Sequence, residues 1–363
     1  MQDIYLEKLS LQNYRNFEHF ELKCSKGPVI LIGDNGIGKT NILESISLFY
    51  PGKGLRGAKF EEICRAGCDN WQATSVFASK LGVAQLTSDY TKESAKRTIS
   101  FNNSKISSSE LSRFINIIWL TPQMENIFYE GASHRRKFLD RMVYNFYPRH
   151  AVKINEYEYY IHERAKLLQH DAWNQDWLKV LEEKIAGVSS QIAELRLDTI
   201  DKMQAAIDEL DSDFPKAILK ADGAVEAKMQ NASSAEINGY IQDELSNARL
   251  KDKFSKRTNF GVHRSDLLVT HREKNKFAKF CSTGEQKAML ISIILAQVNA
   301  GIRDTQAKPI LLLDEIFVHL DDKRKDYLIN FFKSASLQVW ITATDLKGIE
   351  ALAKYSQVIA RTV

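Results

Sequence analysis

Apolar positions in the first fifty residues follow a strand-like spacing and then a helical one. Ile4, Leu6, Leu9 and Leu11 punctuate a short polar segment as in a strand, and Phe20 and Leu22 alternate in another. Val29-Ile30-Leu31-Ile32, entered through Pro28 and closed by Gly33, is the continuous apolar run that a fully buried central strand requires. Beyond a glycine-rich loop, Ile42, Ile46 and Phe49 share one helical face, and Pro51-Gly52 ends the helix. The order predicted is strand, turn, strand, strand, loop, helix. Weaker strands are predicted at 74–81 and 98–101, with polar loops between.

Between Pro148 and Pro215 the texture changes to long helical spacing with one glycine, Gly187. Trp177, Leu181, Ile185, Val188, Ile192 and Leu195 recur every three or four residues; after a slip, Ile200, Met203, Ile207 and Leu210 continue. Such a helix is roughly 50 Å long at about 1.5 Å per residue. With 157–168 before it, the pattern predicts an antiparallel helical arm or bundle, its stripe serving as core packing and not as a cofactor box. A polar, small-residue stretch at 222–236 leads into 249–264, where six Lys/Arg face one acid, Asp252. Strand and helix texture then returns to the end, including the apolar 288–298. The α/β part is therefore split by a helical insertion.

Composition changes this picture little. The 363 residues are 44% apolar and 26% charged with 6 Pro and 17 Gly, which excludes collagen-like, low-complexity and disordered classes. The longest strongly apolar stretch is about half a membrane span, and 1–13 lacks the character of a signal peptide; the expectation is a cytoplasmic protein with no membrane partner. A net charge of +4 does not by itself argue for nucleic acid. Cys24, Cys64, Cys68 and Cys281 have neither a disulfide framework nor zinc spacing.

The chemistry lies in three segments. Gly33-Asp34-Asn35-Gly36-Ile37-Gly38-Lys39-Thr40 matches G-x-x-x-x-G-K-[ST] after a buried strand and at the start of a helix, the context a phosphate-binding loop needs. Backbone amides there curl around phosphates at the positive helix end, Lys39 reaches the β/γ-phosphates, and the Thr40 hydroxyl ligates Mg²⁺. Pro309-Ile310-Leu311-Leu312-Leu313-Asp314-Glu315 is a buried strand whose terminal Asp314 holds the same Mg²⁺ and whose Glu315 polarises an attacking water. Ser282-Thr283-Gly284-Glu285-Gln286 precedes an apolar helix. The bland reading is an N-cap with an early Glu; the sharper one is a helix N-terminus open to phosphate, with Ser282 donating and Gly284 permitting approach. The order of these segments, followed by His319-Leu320-Asp321, is similar to that of ABC-type ATPases.

Over nearly its whole length the chain resembles the RecF family of bacterial DNA-repair proteins. The residues carrying this are Leu9 with Asn13-Tyr14-Arg15-Asn16-Phe17; the loop continued by Asn41-Ile42-Leu43-Glu44; and Gly131 with Arg135-Arg136-Lys137-Phe138-Leu139-Asp140. Gly261-Val262-His263-Arg264-Ser265-Asp266-Leu267 and Gln338-Val339-Trp340-Ile341-Thr342-Ala343-Thr344-Asp345 complete the set. The resemblance implies an α/β fold, a split ABC/SMC-like P-loop ATPase head (1–125 and 258–363) with an inserted helical lobe (126–257). It implies an ATP-dependent homodimer in which Ser282, Gly284 and Gln286 face the partner's phosphates. It also implies binding to DNA at single-strand/double-strand junctions; action with RecR and RecO in loading RecA on SSB-coated gaps; and slow ATP turnover as a switch.

Arg15 and Asn41 join the nucleotide-binding set by this resemblance, and Gln123 is placed near the loop that completes the metal site, although relatives often carry Glu there. Thr344-Asp345 stands where transporter ATPases place a switch His, which weighs against the alternative of a transporter's ATPase subunit. A non-catalytic ATP-binding scaffold is the third reading and a P-loop kinase the fourth. Lys53, Arg56, Arg135, Arg136, Lys256 and Arg257 are candidate phosphate contacts for DNA, against the reading that they are solvated or paired. Arg135 and Arg136 have a further reading, as organisers of the junction between lobes, and His263 and Arg264 as holders of a turn.

Overall fold

A computed structural model describes residues 4–80, 82–170, 173–230 and 232–360. The end of the strand expected at 74–81 and the ends of the chain, 1–3 and 361–363, lie outside the described residues. The chain forms two compact units: Met1–Asn126, Leu210–Pro215 and Thr283–Val363; and Ile127–Glu209 with Lys216–Ser282. The final return to the first unit thus falls at 282/283 and not at the expected 257/258.

The first unit opens with β1 (Tyr5–Tyr14), β2 (Phe17–Lys23), β3 (Val29–Ile32) and α1 (Lys39–Ser47), in the expected order. The odd spacing from Leu6 to Leu9 is a β-bulge, because the pairing register shifts between Leu6 and Lys8 and keeps both leucines buried. β4 (Asn70–Ser79), β5 (Gly82–Thr91), β6 (Lys96–Phe101) and β7 (Ser104–Lys105) extend an antiparallel sheet in the order β2-β1-β4-β5-β6-β7. β8 (Ile117–Leu120) then enters a second sheet.

The second unit holds α2 (Ala132–Phe146), α3 (His150–Leu168), α4 (Gln175–Glu209), β9 (Ala217–Asp222), α5 (Ala224–Met229), α6 (Ser234–Asn247), α7 (Arg249–Ser255), β10 (Asp266–His271) and β11 (Lys276–Phe277). The helical arm expected from sequence is only part of it, because β9, β10 and β11 add an antiparallel sheet. α4 runs unbroken through the slip in the apolar stripe because Arg196 and Thr199 occupy the buried face there. Arg196 is neutralised by Asp140, at 2.9 Å from both Nε and Nη2, and donates to Val262 O at 2.7 Å. Tyr157, Ile185, Ile192, Ile237, Ile241 and Leu245 form the adjoining apolar core.

The chain returns to the first unit through α8 (Thr283–Thr305), β12 (Ile310–Asp314), α9 (Asp322–Ala335), β13 (Val339–Ala343), α10 (Glu350–Ala353) and β14 (Gln357–Ala360). Asp321 caps α9, its side chain accepting from Arg324 N at 2.9 Å. Residues 210–215 belong to this unit through Phe214, whose ring meets Tyr327 edge-on at 6.0 Å. The second sheet is parallel, in the order β14-β3-β13-β12-β8. β3, β8, β12 and β13 are buried apolar runs and β14 is a partly exposed edge. The parallel order sets the carboxyl ends of β3, β13 and β12 side by side, where open α/β sheets gather their ligand sites.

Candidate phosphate-binding site

β3 delivers the chain into the loop Gly33–Thr40, and the loop runs directly into α1. Gly38 caps α1 with φ +102, a left-handed conformation that a side chain would strain. A Cβ there would also lie 2.7 Å from Asn16 Nδ2. The loop is closed on itself by Lys39, which is buried and donates to Gly33 O and, at 2.9 Å, to Asp34 O.

Two strands away, Asp314 ends β12 and meets the loop. Thr40 Oγ1 lies 3.0 and 3.1 Å from the two carboxylate oxygens of Asp314. Thr342, paired with Asp314 across β12 and β13, donates its hydroxyl to Asp314 Oδ1 at 2.7 Å and accepts from Glu315 N at 2.9 Å. Glu315 has φ 52, a conformation uncommon outside glycine, and this hydrogen bond helps to hold it. A hydroxyl facing a buried carboxylate is a hard-oxygen pair of the kind Mg²⁺ accepts. No group of three or more His, Cys, Asp or Glu that could hold a metal occurs among the described residues. An ion held by Thr40 and Asp314 would leave room in its shell for oxygens of phosphate and water.

Arg15 is placed beside α1, where its guanidinium is engaged by Glu44 and Glu62 O. Its Nε and Nη2 form a bidentate pair with fully buried Glu44 at 2.8 and 2.6 Å, and Nη1 donates to Glu62 O at 2.8 Å. That pairing raises the Arg15 pKa. Arg56 donates to Asn41 Oδ1 at 2.7 Å and lies 3.5 Å from Glu44, so it is paired and not a free phosphate contact. Asn41 in turn donates to Asn16 Oδ1 at 2.8 Å, and Asn16 Nδ2 donates to Ile37 O at 3.2 Å. Asn41 thus braces the loop from outside.

Gln123 is exposed in a short 3₁₀ turn, 122–126, after β8. Its neighbour Glu125 is the residue tied into the body: Lys287 Nζ lies 3.0 Å from Glu125 and donates to Val318 O at 2.9 Å, linking α8 to this turn and to the segment after Glu315. Ser282 and Gly284 are exposed at the start of α8, and nothing lies within 4 Å of a Cβ built at Gly284. Gln286, expected with them, is buried and does not share that open surface.

Among the basic candidates, Arg135 and Arg136 are structural within the second unit. Arg135 holds both oxygens of Asp266 at 2.7 Å and donates to Phe128 O and Glu130 O; Arg136 donates to Ser265 O at 2.7 Å. They fasten α2 to β10. Lys53, Lys256 and Arg257 are exposed. His263 holds a turn: its Nε2 donates to Thr258 O at 2.9 Å, leaving Nδ1 to accept from Tyr157 Oη at 2.6 Å. Thr342, Asn16, Glu44 and Lys287 were not read from sequence as site residues. A polar residue ending an apolar strand beside the phosphate-loop strand is the one signal that would have found Thr342.

A parallel sheet with a phosphate loop after one strand and an acid pair after another, joined to an antiparallel sheet and an inserted second unit, defines a P-loop head of the SMC type. The RecF/RecN/SMC N-terminal domain model matches residues 5–362. The DNA replication and repair protein RecF of Rickettsia felis is 55% identical over 99% of this chain and 98% of its own. That of Rickettsia bellii is 54% identical over 99% of both. The chain belongs to the RecF family of DNA replication and repair proteins. The solved structure of the recombination mediator protein RecF with ATP has a TM-score of 0.87 at 23% identity over 96% of each chain. The Smc head domain of Pyrococcus furiosus follows at 0.55 and 16%, covering 98% of this chain and 93% of that one. No described helix is long and apolar enough to cross a membrane.

Proposed function

We propose that this chain is an ATP-dependent recombination and repair protein whose nucleotide state gates DNA binding. The observation that carries this is the meeting of Thr40 and Asp314 at 3.0 and 3.1 Å beside Lys39 and the loop amides. In this reading the loop binds the phosphates of ATP, Lys39 leaves its carbonyls for the β/γ-phosphates, and Thr40 and Asp314 hold Mg²⁺, which supplies charge neutralisation. Glu315 orients and deprotonates water, and slow hydrolysis resets the switch.

Family membership supports the rest: head-to-head dimerisation, with Ser282 and Gly284 of one copy facing the other's phosphates, and binding at single-strand/double-strand junctions. It likewise supports work with RecR, and through it RecO, RecA and SSB, in the cytoplasm. The solved relative bound to ATP supports the nucleotide. Family membership also sets aside the transporter reading.

The test is steady-state ATP hydrolysis with and without gapped DNA over a salt series. Stimulation that fades with salt is expected, with turnover lost but ATP binding kept in Glu315→Gln and both lost in Lys39→Ala. Indifference of Glu315→Gln would point to a scaffold, and indifference to every DNA would sink direct gating.

A further inference from the structure

The second unit carries a basic and apolar surface that the phosphate site does not use. It lies on α7. One side of this short helix is fixed to its neighbours by its own polar residues. Asp252 is buried and accepts from Arg164 Nη1 at 2.7 Å; Arg249 holds Glu182 at 3.0 Å and Gln175 at 2.7 Å. Lys253 lies over the Trp173 ring at 5.1 Å, and Gln169 donates to Lys253 O at 3.2 Å.

The other side faces water. Phe254 is 85% exposed and Leu250 65%, one helical turn apart, and Lys251, Lys256 and Arg257 are exposed around them. The acid within 249–257, Asp252, is buried against Arg164, and no ion pair among the described residues engages Lys251, Lys256 or Arg257, so this surface presents positive charge around an apolar centre. Because the helix is held from behind, binding there orders side chains but not the helix backbone.

We infer that the exposed face of α7 is a docking surface for a single-stranded segment of nucleic acid. Unstacked bases rest on Phe254 and Leu250 while Lys251, Lys256 and Arg257 follow the phosphates. Both features of the surface are matched at once by a single strand, which offers phosphate charge and free base faces. A duplex offers the charge but keeps its faces stacked, and would leave Phe254 and Leu250 without a partner. This rests on the reading of the chain as a DNA-binding protein and adds which strand state this surface takes.

The experiment is fluorescence anisotropy of labelled oligo(dT) and of a blunt duplex of equal length. It uses the full chain with and without ATP and Mg²⁺, over a salt series. Phe254→Ala is expected to weaken oligo(dT) binding about tenfold, in the range of one lost stacking contact, with duplex binding unchanged; Phe254→Tyr should restore it. Replacing Lys251, Lys256 and Arg257 together by Ala should flatten the salt dependence for oligo(dT) by about two units of log-log slope. Unaltered oligo(dT) binding in Phe254→Ala, or equal loss for both DNAs, overturns the inference. So does wild-type protein that binds the duplex but no oligo(dT), and that outcome leaves the proposed function standing; failure to bind any DNA with ATP present sinks both. Polyglutamate that displaces oligo(dT) from wild type as well as unlabelled oligo(dT) does would instead assign the surface to an acidic protein segment.

Discussion

Thr342 donates its hydroxyl to the Asp314 carboxylate at 2.7 Å and receives the Glu315 amide at 2.9 Å, so one side chain on β13 fixes both acids at the end of β12. Replacing it by Val keeps the shape but leaves the buried Asp314 short of a donor and the Glu315 amide without its acceptor. Each lost partner in such a setting costs about 1–3 kcal/mol. Turnover in Thr342→Val should therefore fall about tenfold or more, while ATP affinity changes far less and Thr342→Ser stays near wild type. Hydrolysis and fluorescent-nucleotide binding measured on the three proteins decide it; equal loss of both in Thr342→Val would make the residue a stability element alone.

What the pattern of the chain made legible, and what it hid, divides along burial of charge. β3 and β12 are short continuous apolar runs with polar punctuation, a length and flanking that favour a buried strand over a buried helix, so the loop after one and Asp314 after the other could be placed beforehand. Arg196, Arg164, Glu44 and Lys287 are all buried. A hydrophobicity pattern counts such residues as surface, so the slip in the α4 stripe had no visible cause although the helix was read through it, and the bracing around α1 was invisible. β9 does alternate, burying Ala217, Leu219 and Ala221. Its six residues lie between helical stretches and pair with β10 more than forty positions later, a partner that no local spacing announces. The alternatives for Arg135 and Arg136, DNA contact or structural pairing, stayed open for the same reason in reverse: their acceptors, Asp266 and Ser265 O, are distant in sequence.

The second unit should lose stability as the solution is acidified, beginning well above the carboxylate range. Burial lowers the pKa of His150, only partly offset by its hydrogen bond to Asp140, and burial likewise lowers His263 against its bond to Thr258 O. A histidine whose folded pKa lies below its unfolded value near 6.5 takes its proton first in the unfolded chain, so stability falls as pH drops through about 6.5 towards the folded pKa. The slope is at most about 1.4 kcal/mol per pH unit for each histidine. Asp140 adds a second loss in the same direction: burial pushes its carboxyl up, but Arg196 and His150 outweigh this and hold it well below the usual range. Its contribution is present above about pH 4 and is lost below. Thermal midpoints from pH 8 to 5 for wild type and for His150→Gln with His263→Gln test this; an equally steep fall in the double variant would assign the acid sensitivity elsewhere.

Arg15 and Arg56 both approach Glu44, and the geometry makes them unequal. Arg15 holds both carboxylate oxygens at 2.6 and 2.8 Å with its side chain 18% exposed, whereas Arg56 stands at 3.5 Å and is 33% exposed. Removing Arg15 leaves a fully buried carboxylate with a distant cation, a break that costs about 3 kcal/mol or more. Removing Arg56 costs about 1 kcal/mol or less, as for a loose pair whose cation is partly solvated and whose carboxylate keeps Arg15. Thermal midpoints of the nucleotide-free protein should thus drop clearly for Arg15→Ala and little for Arg56→Ala, and Arg15→Ala with Glu44→Leu should recover part of the loss by removing the stranded charge. Should Arg15→Ala instead keep the midpoint and lose only ATP affinity, the residue leaves Glu44 in the working protein and acts on the nucleotide, as the family resemblance implies.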